Sequence, residues 1–291
     1  VGAMAIAHGL PLGAGPRPSS GDEFATRLRA SATASLAGAP ISGLDAATIS
    51  ARLDGADIEA LDLDLTGVAI ELPSSTDDSG DPSAPLEPSP EVSRERGHLR
   101  AARITARPAM LAGAPVDLEV NVSKLRIAWI SRADGTTELD ASDDDLGRMD
   151  GTARLAIAHE HLPAVATAVL NSALASAGAS VSDVAIAITG EGEDAASLDA
   201  TAKARYGVMS AGVRLRASLR IVDGRRLRLD GLDLSTKNLL AGALLGLARG
   251  ELEKLDGQEF DLVELLPADV RNPQVHLEVT PTGVAVTASF G

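Results

Sequence analysis

The sequence predicts an α+β fold: a long antiparallel sheet, highly curved around a few amphipathic helices. Three observations predict it. Apolar residues recur at every second position through most of the chain. Few stretches space them at three and four, as a half-buried helix does. Neither βαβ alternation nor a Gly-rich phosphate loop occurs, which leaves antiparallel meanders as the architecture. The apolar strand face exceeds what two or three such helices cover, so the sheet must curve around a helix or hold a guest in a cavity.

The elements follow in order. Residues 1–16 carry no charge and are apolar as far as Leu12. They read either as the tail of a removed signal or anchor or as a flexible apolar terminus. Residues 11–21 are rich in Gly, Pro and Ser, so 1–21 reads as a flexible N-terminal linker. Ser20 and Glu23 stand at capping-box spacing and open a short helix with Phe24, Leu28 and Leu36 on one face. Gly38 and Pro40 stop it. Over 44–72 the period changes to two, with Leu61, Leu63 and Leu65 alternating with Asp62 and Asp64, then Val68, Ile70 and Leu72. Residues 73–97 hold five prolines and six acidic residues and read as a disordered insertion. Strands are expected at 99–107, 116–122 and 124–130, with a turn at Asp134-Gly135 and an acidic loop at 142–150.

A second half opens at residue 151 with a strand to 158. Leu162, Val165, Ala166, Val169, Leu170, Ala173, Leu174 and Ala177 then fall on one face of a four-turn helix, with Pro163 in its first turn and Gly178 at its end. Strands follow at 181–189, 198–206 and 213–222. In the last, Val213, Leu215, Ala217, Leu219 and Ile221 face one side and Arg214, Arg216, Ser218 and Arg220 the other. Asp223-Gly224 marks a hairpin whose return strand carries Leu227, Leu229, Leu232 and Leu234. A further helix is expected over 236–255, with Leu239, Leu240, Leu244 and Leu247 in its stripe. Strands at 274–280 and 283–289 close the chain. Residues 22–291 thus read as one domain of two β-rich halves, about 44–150 and 151–291.

Composition narrows function. The chain has 291 residues, no cysteine, five aromatic residues and a net charge of −15. Absent cysteine removes disulfides, zinc–thiolate sites, iron–sulfur clusters and thiol nucleophiles. Acidity argues against nucleic acid as a partner. The uncharged run 162–182 contains Thr167, Asn171, Ser172 and Ser176 and does not read as a membrane span.

Candidate chemistry is sparse. His159 and His161 would share one face of a strand and could meet a metal, but no third ligand is near, and a polar loop is the plainer reading. Asp143, Asp144 and Asp145 lack the ligand spacing of a calcium loop and read as a solvated acidic loop. No G-x-S-x-G pentapeptide occurs. Gly242, Gly246 and Gly250 lie four apart, for close approach to the sheet or for a smooth groove beside Leu240, Leu244 and Leu247. Arg214, Arg216, Arg220, Arg226 and Arg228 face outward, toward acidic partners or toward anionic headgroups.

The run from Gly151 to Leu162, and the run from Leu265 through Leu266-Pro267 to the two strands around Gly283, resemble the LmeA-type phospholipid-binding family of actinobacterial cell envelopes. The stretch from Ala51 to Gly67 is similar to that family's early paired strands. The insertion at 73–97 and the lack of a complete signal or anchor depart from it. The resemblance implies a tubular lipid-binding fold, a sheet around a long helix enclosing an apolar tunnel. It also implies phospholipid as ligand, an extracytoplasmic location in the periplasm or cell envelope, and no catalytic residues or cofactor.

The expectation is therefore non-enzymatic binding or transfer of a phospholipid or other acyl-chain lipid. Leu162, Val165, Val169, Leu215, Leu219, Ile221, Leu240, Leu244 and Leu247 are the expected lining. An envelope membrane surface or a protein is a further expected partner. The alternative is a structural or adaptor module of an envelope assembly with a solid core. An enzyme would require His159, His161 and acidic residues to converge in a cleft.

Overall fold

The computed structural model describes residues 9–35, 41–70, 89–141, 149–174, 178–207, 209–236, 256–262 and 272–291. The fold is mixed α+β, with two sheets and, among the described residues, two α-helices.

The chain enters as β1 (Leu10–Ala14), α1 (Gly21–Ser35), β2 (Ile41–Ser42), β3 (Thr48–Asp54), β4 (Asp57–Asp64) and β5 (Ala69–Ile70). A long hairpin follows, β6 (Glu91–Leu111) and β7 (Ala114–Arg132), then β8 (Thr136–Asp140) and β9 (Asp150–Ala158). A 3₁₀ turn at His159–His161 leads into α2 (Leu162–Leu174). Four strands form the smaller sheet's meander: β10 (Ala179–Gly190), β11 (Ala195–Tyr206), β12 (Met209–Val222) and β13 (Arg226–Thr236). After β14 (Glu259–Asp261), β15 (Gln274–Val279) and β16 (Gly283–Phe290) close the chain.

The larger sheet has the order β15-β16-β9-β7-β6-β4-β3, with β1, β2, β5 and β8 paired beside this path. The smaller runs β10-β11-β12-β13-β14. Pairing is antiparallel except where β4 and β5 lie parallel to β6. Both sheets end in edge strands, so neither is a closed barrel.

Helix α1 covers one end of the larger sheet. Ser20 Oγ accepts the Glu23 N–H at 3.2 Å. The Glu23 carboxylate reaches back one residue further than a capping box requires, to the Ser19 N–H at 2.9 Å, which holds this carboxyl below its usual range. The first turn thereby presents Phe24, fully buried, to the sheet. Phe24 meets Trp129 edge-to-face at 5.7 Å and 78°, and Leu12, Leu28, Ile58, Leu99 and Ile127 close around the two rings. Two of the five aromatic residues thus meet at this junction.

Several expectations change. Residues 10–14 form a strand paired with β8, and Leu12 and Pro18 are buried, so a flexible linker over 11–21 gives way to an ordered segment. The alternation in 44–72 resolves into β3, β4 and the short β5. Residues 91–97 of the supposed insertion are the start of β6; its residues 73–88 lie outside the described residues. The strands expected at 116–122 and 124–130 are one strand, β7, with Lys124 at φ +61° absorbing the irregularity. Residues 142–148 of the acidic loop, residues 237–255 of the helix expected over 236–255 and residues 175–177 also lie outside the described residues, and Thr236 itself ends β13.

Candidate functional site

Alternation and register sort the larger sheet into two chemically distinct faces. Leu61, Ala102, Val122, Gly151 and Phe290 stand in one cross-strand row. The next row on the same face is Leu63, Ile104, Val120, Ala153 and Ala288. The third is Ala106, Leu118, Leu155, Val286 and Leu277. Rows between these point the other way and are polar: Asp62, Arg103, Asn121, Thr152 and Ser289, then Thr105, Glu119, Arg154, Thr287 and His276. Leu61 and Ala102 of the first row also pack against the cluster that α1 covers, although Leu99 and Ile127 of that cluster are out of phase with Ala102 and Val122 along β6 and β7.

The third row is open where it crosses β9 and β16. Leu155 and Val286, directly paired, are 43% and 37% exposed although both lie on inner strands. At the opposite end Ala106, Ala109 and Val116 close into a small buried cluster with Leu118 and Ile157. An open cleft of about 570 Å³ crosses the strands at Ala102, Val122 and Gly151 and is lined as much by the polar row of Asp62, Arg103, Asn121 and Ser289.

The smaller sheet repeats the division. Ile186, Ala200, Leu215 and Leu234 form one aliphatic row, Ala196, Leu219 and Leu229 another, and Ile221, Leu227 and Phe260 a third. The opposite face carries the arginines. Arg214 pairs with Asp199, which Arg216 also approaches at 3.4 Å; Arg226 pairs with Glu259, and Arg228 with Asp230 at 2.9 Å.

Of the expected lining, Leu215, Leu219 and Ile221 share the aliphatic face of the smaller sheet. Leu162 and Val165 are half-buried on α2, whereas Val169 is 47% exposed. Leu240, Leu244 and Leu247 lie outside the described residues. The larger sheet's aliphatic face was not among the expected lining. Its signal was present in the alternation of Ala153, Leu155 and Ile157 and of Val284, Val286 and Ala288.

Chemically, each sheet is aliphatic on one face and charged or polar on the other. His159 Nε2 sits 2.8 Å from the Thr280 carbonyl, so that ring ties the 3₁₀ turn to the end of β15. Among the described residues no three His, Asp or Glu side chains gather where a metal ion could sit. The displaced carboxyls are displaced downward. Asn121 holds Glu119 low, helped by Arg103 and Arg107, and Arg214 holds Asp199 low. Such groups stay ionised and are poor proton donors at neutral pH. Among the described residues no helix is long and apolar enough to cross a membrane.

Fold and face together define a two-sheet α+β protein with segregated aliphatic and charged surfaces. No known family, characterised protein or solved structure matches the chain.

Proposed function

We propose that the chain is a non-enzymatic carrier of an acyl-chain lipid, a phospholipid of the bacterial cell envelope, held against its aliphatic sheet faces. The observation that carries this reading is the open part of the third aliphatic row, where Leu155 and Val286 remain exposed on β9 and β16. A soluble protein gains nothing by leaving paired Leu and Val bare on inner strands unless something apolar covers them. An acyl chain laid along such rows gains about 0.8 kcal/mol per buried methylene. The affinity therefore needs few polar contacts, and a face of Leu, Val, Ile and Ala suits a flexible chain better than one filled with rings. The sheets would curve around the guest, as the resemblance to the LmeA-type family implies.

Native mass spectrometry of the full chain, with extraction and identification of what co-purifies, tests the reading. Protein carrying one or more phospholipids, or taking them up from added lipid, is the expected result. Protein that neither carries nor acquires lipid overturns it.

A further inference from the structure

The far end of the smaller sheet combines features that the aliphatic faces do not account for. Strands β10–β13 carry seven basic and four acidic residues, in a chain of 26 basic and 41 acidic residues overall. The hairpin β6–β7 of the larger sheet carries a similar excess, eight basic and four acidic residues, but its Arg94, Arg100, Arg103 and Arg107 are held in ion pairs. At the end of this sheet remote from β15, Lys203, Arg205 and Arg214 stand on the charged face, around Gly212, whose missing side chain leaves open space. A cleft of about 1030 Å³ opens there, lined by Lys203, Arg214, Thr201, Ser210 and Ser235. Three carboxylates share the region: Asp199, which is tied to Arg214 and Arg216, Asp233, which stands opposite Arg216 and acts on Arg214, and Asp183 at the rim of the cleft. Lys203 makes no ion pair among the described residues, and Arg205 reaches only the Gly207 carbonyl, at 3.3 Å.

Exposed apolar groups flank this basic end. Tyr206, the last residue of β11, is 56% exposed and pairs with Ala179 at the start of β10. Helix α2 is bound to the same edge, because the Asn171 side chain both accepts the Val181 N–H at 2.7 Å and donates to the Val181 carbonyl at 3.0 Å. Val169 and Leu170, just before the clamp on α2, are 47% and 41% exposed. A tyrosine, two aliphatic side chains and a cluster of basic residues at one end of a molecule match an anionic bilayer surface, where the ring and aliphatics enter the headgroup boundary and the cations meet lipid phosphates.

We infer that this end of the smaller sheet, formed by Val169, Leu170, Tyr206, Lys203 and Arg205, docks the protein on an anionic membrane surface. The inference rests on the lipid-carrier reading for its purpose, since docking places the aliphatic faces where lipid is collected or delivered. It makes a separate physical claim.

Co-sedimentation of the full chain with phosphatidylglycerol/phosphatidylcholine vesicles, and with phosphatidylcholine vesicles alone, tests it. Binding to the anionic vesicles is expected to be stronger and to fall with added salt. Removing each basic side chain should weaken it roughly fivefold. The pair K203E and R205E should therefore abolish sedimentation, while K203R with R205K restores it. L170S and Y206S should weaken binding with both charges intact. R96E, on the larger sheet, should bind as wild type.

Failure of the wild-type chain to sediment with anionic vesicles overturns the inference, as does an equal loss in R96E. Lipid detected in the purified protein without vesicle docking sinks this inference and leaves the carrier reading standing. Docking by a protein that never holds lipid does the reverse.

Discussion

The Asp194 carboxylate accepts the Leu277 N–H at 2.8 Å, and its other oxygen lies 3.2 Å from His276 Nδ1. This one side chain, on the turn between β10 and β11, ties the smaller sheet to β15 at the edge of the larger. A second tie lies beside it, from the Val275 N–H to the Gly224 carbonyl at 2.5 Å on the β12–β13 turn. Turns of one sheet thus satisfy edge amides of the other, which also covers an edge that would otherwise be open to pairing. Asp194 sits at φ +57°, a conformation that Asp and Asn tolerate better than other non-glycine residues. Asp194→Ala should cost about 1–3 kcal/mol through the orphaned amide. Asp194→Asn, which keeps an acceptor, should cost less than half as much. Urea midpoints of the two variants check this, and equal losses would remove the hydrogen bond as the cause.

The second tight junction lies at Ala56. Its carbonyl receives the Trp129 indole N–H at 2.7 Å, while a Cβ added to Gly97 would lie 2.0 Å from the same oxygen. Glycine is therefore required at 97 for close approach of the β3–β4 turn. Gly97→Ala should destabilise by about 1–3 kcal/mol through overpacking. Trp129 is the sole tryptophan and is 2% exposed, so its emission reports the junction directly. A red shift in folded Gly97→Ala is expected; an unchanged emission maximum and urea midpoint would show that the turn can move aside.

A third prediction concerns Arg132 and Glu138, whose side chains are 15% and 11% exposed and meet at 2.6 and 2.9 Å. Arg132 also donates to the Ser89 carbonyl at 3.0 Å, anchoring the chain just before β6. Because both groups are largely withdrawn from water, Glu138→Ala should cost about 2 kcal/mol, more than a surface pair would. The double variant R132M/E138L should recover most of that loss, since it leaves no charge unpaired. A double-mutant cycle by urea denaturation measures the coupling, and additive losses would refute it.

The fourth concerns pH. Hydrogen bonds from the Thr136 hydroxyl and N–H, with a further one from the Ser89 hydroxyl, pull the Asp134 carboxyl down to about 2 from an ordinary 3.8. A carboxyl depressed in the folded state stabilises it above the ordinary value, and that contribution is lost as pH falls through the folded value. The urea midpoint of wild type should therefore exceed that of Asp134→Ala at neutral pH, and the gap should close between about pH 4 and about pH 2. A gap that persists undiminished at about pH 2 would assign the effect to turn geometry rather than ionisation.

Much of the architecture was legible in the sequence because alternation encodes faces locally. Val213 to Ile221 read correctly as a two-faced strand, Asp223-Gly224 as its hairpin, and Ser20 with Glu23 as a helix start. Pairing partners were not legible. Nothing in the spacing of Leu61 and Leu63 says that they lie parallel to Ala102 and Ile104, since that choice is made by tertiary contacts between segments about forty residues apart. Residues 10–14 were misread because Gly and Pro signal turns, while the strand there is fixed by β8. Of the site, the smaller sheet's aliphatic face was foreseen. The larger face was missed because each strand contributes only two or three residues to it, and the surface exists only once five strands align.

The last prediction follows from that alignment. Leu155 and Val286 are neighbours across β9 and β16 and are the exposed pair of the third aliphatic row. Leu155→Glu or Val286→Glu places a charge where an acyl chain would lie, whereas Thr152→Glu on the same strand points to the opposite, polar face. Since both apolar side chains are already accessible, the substitutions should change the urea midpoint by little, within about 0.5 kcal/mol. Burial of a leucine-sized contact is worth about 1.5–3 kcal/mol, so lipid affinity should fall roughly tenfold or more for each. Thr152→Glu should hold lipid as wild type does. Titration of the purified variants with phospholipid, read by native mass spectrometry, makes the comparison. If Leu155→Glu and Thr152→Glu retain lipid equally, the guest does not lie on the larger sheet, and the aliphatic rows led by Leu215 and Leu219 become the face to test.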